Sequence, residues 1–241
     1  MKRITLIFLT INAISTFGQT ANETMSSDYK KVQFGINISP DICFRTLKNN
    51  DTDPSNDFVL DERNKNETFK LGYTGGLNVC YNFNKNIGLE AGIQYSNRGY
   101  QSNFLDIING QSEPHMPNKM KFIYNYYYLD IPLKINYSVG KKKVRFFASL
   151  GFSTNILMTA NESDLFIYSD HALKKTFTSN YDYSKLNLTP IGSVGIDYKI
   201  NNRMNLRVEP TFRYGVFKII DTPITGYLYS GGLNVSYFFG F

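Results

Sequence analysis

The stretch Tyr124-Asn125-Tyr126-Tyr127-Tyr128-Leu129-Asp130-Ile131-Pro132-Leu133-Lys134-Ile135-Asn136-Tyr137 decides the fold. Tyr127, Leu129, Ile131, Leu133, Ile135 and Tyr137 share one parity, while Tyr128, Asp130, Pro132, Lys134 and Asn136 share the other. Strand side chains point alternately to opposite faces, so the segment has one oily face ending in tyrosine at both ends and one face with fixed charges. About ten residues of strand tilted near 45° cross a bilayer core, which is the separation of Tyr127 and Tyr137. Such a strand suits the wall of a membrane barrel.

The same alternation recurs along the chain, giving strands over Val32 to Phe44, Lys70 to Phe83, Ile87 to Tyr100, Val144 to about Thr154, Leu186 to Ile200, Met204 to Gly215 and Gly226 to Phe241. With the first segment they number eight, an even count as bacterial barrels require. Connections alternate between long (45–69, 101–123, about 155–185, 216–225) and short (84–86, 140–143, 201–203). Short turns belong to the periplasmic side and long loops to the exterior. The predicted architecture is all-β: an eight-stranded antiparallel up-and-down transmembrane barrel over residues 32–241, with both ends of the barrel domain on the periplasmic side. Two tyrosine girdles are expected, Tyr81, Tyr137, Tyr198 and Tyr237 beside the turns and Tyr73, Tyr95, Tyr127, Tyr214 and Tyr227 toward the loops.

Tyr128-Leu129-Asp130-Ile131-Pro132-Leu133-Lys134 resembles the YLEIPLLLKY signature of the PorT-like outer-membrane β-barrel family of Bacteroidetes. Phe146-Phe147-Ala148-Ser149-Leu150-Gly151-Phe152, Gly192-Ser193-Val194-Gly195-Ile196-Asp197-Tyr198 and a final aromatic strand supply the context, and the resemblance covers roughly residues 32 to 241. It implies a small barrel in the outer membrane of a Gram-negative bacterium and raises a role in secretion or envelope assembly. It implies no activity. Asp130 stands where the family often has Glu, and the polar loops are unusually long.

Composition agrees with this class. Hydrophobic residues make up 42% of the 241, and aromatics 15%, with 18 Tyr, 19 Phe and no Trp. The mean hydropathy of -0.30 excludes a helical membrane bundle, because no segment after the N-terminal leader offers about 20 apolar residues in a row. Lys2 and Arg3, then Ile4 to Ile14, then Thr16-Phe17-Gly18 read as a signal peptide over residues 1–18, followed by a flexible polar lead over 19–31. Losing Lys2 and Arg3 takes two charges from the formal +6. The only basic run, Lys141-Lys142-Lys143, reads as a solvated turn, so nucleic acid is not expected as a partner. Membrane lipid and lipopolysaccharide are.

The polar parity holds Glu90, Asp130, Asp197 and Glu209 with Lys134, Arg145, Lys199, Arg207 and Arg213. Inside a narrow barrel these charges must pair to offset desolvation, so a structural plug is expected, with a gated conduit as the functional alternative. Cys43 and Cys80 fall at opposite ends of a predicted hairpin, some 30 Å apart at about 3.4 Å per residue, and are expected to be free inward thiols. Asp51, Asp53, Ser55, Asp57 and Glu62 match positions of a calcium loop, but Asn56 replaces its glycine and Pro54 intrudes, so a plain acidic loop is favoured. With His115 and His171 both in loops, the expectation is a non-enzymatic protein without metal or cofactor. Two alternatives stand beside it. A soluble lipocalin-like barrel would turn the oily parity inward around an apolar ligand, and a surface lipid hydrolase would use one of the histidines. Proline cannot donate to a sheet ladder, so bulges or local breaks are expected at Pro132, Pro190 and Pro210.

Overall fold

The computed structural model describes residues 30–107, 116–140 and 143–240. The predicted signal peptide, nearly all of the polar lead, His115 and two of the three lysines at 141–143 lie outside these residues. Eight long strands form the barrel: β1 (Val32–Asn49), β2 (Lys70–Asn82), β3 (Ile87–Ser102), β4 (Lys119–Val139), β5 (Val144–Ile167), β6 (Leu186–Lys199), β7 (Met204–Tyr214) and β8 (Ile224–Gly240). Each pairs antiparallel with its sequence neighbours, and β1 with β8 closes the sheet from Gln33↔Gly240 to Asn49↔Ile224. Closure leaves no long barrel strand with an unpaired edge, the condition for placing strands in lipid.

Which parity faces inward is settled by neighbouring residues of β4. Lys134 is 6% exposed and Ile135 is 60% exposed. Asp130, Lys134 and Asn136 are enclosed, while Ile131, Leu133, Ile135 and Tyr137 face outward. The other strands agree: Ile36, Ile38, Leu77, Ile93, Leu150, Val194, Phe212 and Leu233 form an oily outer belt. This is the reverse of a lipocalin, whose apolar side chains line its cavity, so that alternative is overturned.

Two of the short turns are built from asparagine. Asn84 Oδ1 accepts the N–H groups of Asn86 and Ile87, and Asn201 Oδ1 accepts those of Arg203 and Met204. The side chain thereby replaces a turn carbonyl and lets the chain reverse in a few residues.

The long connections hold more structure than expected. Residues 45–69, predicted to be a loop, contain the end of β1 and the helix α1 (Pro54–Asn66). Asp53 caps α1 by accepting the Ser55 N–H, and Pro54 occupies its first turn. The segment read as a loop from about residue 155 instead continues β5 to Ile167 and returns through a strand at Ala172–Thr178 paired with it. β5 has 24 residues, more than twice what crosses a bilayer. The β4–β5 ladder therefore rises well clear of the lipid.

The prolines interrupt without bulging. Pro132 keeps its pairing with Ser153 on β5, whereas toward β3 the pairing passes from Ala91↔Leu133 to Gln94↔Asp130 with no change of register. Pro210 behaves alike, paired with Leu233 on β8 and unpaired toward β6. Pro190 pairs with Phe152 on β5. A strand residue directs its N–H to one neighbour only, so a missing donor breaks one ladder and spares the other. The β4–β5 register shift falls at Tyr127/Tyr128, away from any proline. There Met158 is the extra residue between Leu157 and Thr159.

Candidate functional site

The lumen holds an ion-pair network in layers. Near the periplasmic end, Arg207 donates to Glu90 at 2.8 Å and lies 3.6 Å from Asp197. Its guanidinium sits between two inward rings, 3.8 Å from the centroid of Phe147 and 4.6 Å from that of Phe238. Glu90 also takes Lys134 at 2.8 Å and Asn136 at 2.8 Å, and Lys134 reaches Glu209 at 3.7 Å. Asp197 takes Arg145 at 2.9 Å and Asn205 at 2.8 Å. All eight predicted lumen residues face inward, and six of them, Glu90, Lys134, Arg145, Asp197, Arg207 and Glu209, meet in this one layer.

The remaining two join partners that sequence reasoning did not assign. Asp130 pairs with Arg98 at 2.5 Å and accepts from Asn155 at 2.6 Å. Arg213 pairs with Asp41 at 3.1 Å, and Asp41 also accepts from Ser39 and Thr74, each at 2.6 Å. Asp41 is reached because Gly232 opposes it: a Cβ there would lie 1.8 Å from the Asp41 carboxylate. Strand parity places both Arg98 and Asp41 inward, although neither stands in the predicted charge network. The pairing itself depends on register around the closed barrel. Ion pairs join five lumen carboxylates (Asp41, Glu90, Asp130, Asp197, Glu209) to five cations (Arg98, Lys134, Arg145, Arg207, Arg213), and Lys70, also enclosed, donates to Asn97. Buried charges persist when they are paired in this way.

Toward the extracellular end the interior becomes aromatic and aliphatic. Tyr100, Tyr126, Tyr128, Ala160, Ile219 and Leu228 form an enclosed cluster, with Phe44, Tyr124 and Tyr183 packed on it. Above them α1 is tied down by charge. Arg45 bonds Glu67 at 2.7 Å, Asn64 at 2.7 Å and the Arg63 carbonyl at 3.0 Å, while Arg63 holds the other oxygen of Glu67 at 2.7 Å. Gly99 permits this crowding, with φ +149° and an ideal Cβ position 1.9 Å from the Tyr124 carbonyl oxygen.

The nine predicted girdle tyrosines all lie on the outward parity. Tyr73, Tyr81, Tyr95, Tyr137, Tyr198 and Tyr237 are exposed, and Tyr127, Tyr214 and Tyr227 are half-buried. Tyr95 stacks on Tyr127 at 6.0 Å. Cys43 and Cys80 are both free and fully buried.

The residues of the calcium-like pattern serve α1 instead. Asp53 caps the helix, Asp57 accepts from Asn49 at 2.7 Å, Asp51 accepts the Thr52 N–H, and Glu62 pairs with Lys65 at 3.1 Å. A regular helix over these positions cannot wrap them around an ion as a calcium loop does. The Ser55 N–H holds the Asp53 carboxyl below the usual carboxylate range. His171 is exposed in the tip of the β5 hairpin, 2.6 Å from Asp170 and stacked 4.4 Å from the Tyr168 ring. Among the described residues no serine is hydrogen-bonded to it.

A closed barrel with an oily exterior and an ionic interior defines an integral protein of the outer membrane. The model of the outer membrane protein beta-barrel domain family matches residues 17–221, and the chain belongs to that family. No curated protein matches the sequence. Among solved structures, Neisserial surface protein A is similar at 10% identity over 88% of this chain and 97% of its own, with a TM-score of 0.47. OprG from Pseudomonas aeruginosa is similar at 11% identity over 88% and 98%, with a TM-score of 0.46. The outer membrane protease OmpT from Escherichia coli is similar at 10% identity over 92% and 100%, with a TM-score of 0.48. This last neighbour corrects the expectation of a non-enzymatic protein: an enzyme stands among barrels of this build, so the architecture gives no ground for excluding catalysis.

Proposed function

We propose that the protein is a sealed outer-membrane platform that holds an extracellular sheet and helix in the lipopolysaccharide layer for contact with an envelope or secretion partner. The lumen network carries this reading. Two rings clamp Arg207, which reaches across the lumen to Glu90, and the pairs Arg98–Asp130 and Arg213–Asp41 fill the interior above it. An eight-stranded barrel filled by side chains leaves no aqueous path. The working surface is then the part that rises from the membrane: the upper ladder of β4 and β5, the Ala172–Thr178 strand, and α1. Lys174 and Lys175 on that outer strand are suited to anionic headgroups. The nine outward tyrosines would set its depth at the two interfaces. The resemblance to the PorT-like family supports secretion or envelope assembly as the process served. In this reading residues 1–18 direct export and residues 32–241 form the single working domain.

The test joins conductance and capture. The full chain in planar bilayers should give no unitary current steps at neutral pH. Crosslinking in cells should recover an envelope protein that is lost when residues 168–178 are replaced by a short Gly-Ser turn. Regular channel openings would overturn the sealed lumen, and unchanged crosslinks would overturn the platform.

A further inference from the structure

A cavity of about 300 Å³ opens among α1, the upper parts of β3 and β4, and the segments around residues 181–183 and 219–226. Its walls include Tyr100, Tyr124, Tyr126 and Tyr183. Tyr100 and Tyr124 lie 4.8 Å apart at 30°, and Tyr126 meets Tyr183 edge-on at 5.4 Å. These rings are fixed by packing in the enclosed aromatic cluster, so they present preformed flat and edge surfaces at little entropic cost. Ile219 and Ile224 extend the apolar lining.

The polar side of the cup is an ion pair, Arg63 with Glu67, both of which line it. Behind the lining Arg45 takes the second oxygen of Glu67, so Arg63 shares that carboxylate with another guanidinium. Arg63 Nε is committed to Glu67 and Nη2 to the Tyr100 hydroxyl at 3.2 Å, while Nη1 has no protein partner among the described residues. Arg63 lines the cavity. Glu162, the other acid close by, is engaged by the Tyr124 hydroxyl. A volume at the lower end of small-molecule sites, aromatic walls and one available guanidinium edge together describe a ligand with a flat ring and a carboxylate.

We infer that the extracellular cup bounded by Arg63 and the tyrosines of β3 and β4 binds a small aryl carboxylate, the ring against Tyr100, Tyr124 and Tyr126 and the acid on Arg63. This goes beyond the platform reading and does not depend on it.

The probe is 2-naphthoate, titrated into the refolded full chain in detergent micelles, by calorimetry and by tyrosine emission, which no tryptophan obscures. Saturable one-to-one binding is expected. The uncharged 2-naphthylmethanol should bind about tenfold or more weakly, the worth of one charge-assisted contact. Arg63→Met and Tyr126→Leu should each weaken naphthoate by a similar factor, and Tyr127→Leu, one residue away on the outer face, should not. Retained heat-dependent gel mobility shows that each variant is folded. Equal binding of acid and alcohol to the native chain would overturn the anion assignment without recourse to any variant. Stronger binding of methyl glucoside than of naphthoate would overturn the ligand class, and no saturable signal would overturn the site.

Discussion

Two substitutions that each delete one lumen cation should have unequal costs. Among the described residues Arg98 is the only cation within ion-pair distance of Asp130, at 2.5 Å, and both side chains are enclosed. Arg98→Met leaves that carboxylate with Asn155 as a neutral donor. Removing one partner of a buried pair costs about 3–5 kcal/mol, because the remaining charge keeps its desolvation penalty without its counter-charge. Lys134→Met deletes a cation from Glu90 and a longer, 3.7 Å contact to Glu209, but Arg207 remains on Glu90 at 2.8 Å with Asn136 also at 2.8 Å, and Glu209 keeps Ser193 and Asn234 as donors. The loss there should be about 1–2 kcal/mol, nearer that of a single hydrogen bond to a charged group. Arg98→Met combined with Asp130→Asn should recover most of the deficit. Equilibrium urea unfolding in lipid vesicles, followed by tyrosine emission and gel mobility, measures all three. Equal losses for the two single variants, or losses below about 1 kcal/mol for both, would show that water reaches these groups and would refute the sealed interior.

Other perturbations report on other parts of the molecule. Ile131→Arg, in the middle of the outward face of β4, should destabilise the inserted barrel by about 2–4 kcal/mol in the same unfolding assay. Cys43 and Cys80 should resist a water-soluble maleimide in the folded protein and label fully in denaturant, as read by mass spectrometry, since both thiols are fully buried. The α1 cap should respond to acid. The Asp53 carboxyl is held below its ordinary value by the Ser55 N–H, so its contribution to folding is complete above the ordinary carboxylate range and is lost as pH falls through the lowered value. Hydrogen exchange at Ser55 and Asn56 should accelerate over that acidic interval, and Asp53→Asn, which can still cap, should flatten the response.

The barrel was legible in the sequence because lipid imposes a strict period of two. Each outward position must be apolar, so Leu129-Asp130-Ile131 declares both faces at once. Above the bilayer that constraint lapses, and so did the reading. From Asn161 to Ile167 polar and apolar residues mix on both faces of β5, and nothing marks the strand as continuing. Helix α1 was obscured for a different reason: its acids imitate a metal loop. The sequence did carry a better signal in Asp53-Pro54, a cap followed by a first-turn proline, with Arg63 and Lys65 at the other end. Inward Phe147 and Phe238 were hidden by the rule that barrel interiors are polar. They make sense only as a sleeve for Arg207, which comes from a third strand. Parity could place Arg98, Asp130 and Asp41 inside, but which charge meets which is a property of the closed circle.

That circularity bears on biogenesis. Asp41 and Arg213 are 172 positions apart along the chain, and Glu90 and Arg207 are 117 apart. A nascent hairpin entering the bilayer alone would bring a naked ion with it, since its neutralising mate is threaded much later. Insertion one hairpin at a time is therefore disfavoured, and the seam between first and last strands must be stitched before or during passage into lipid, all at once.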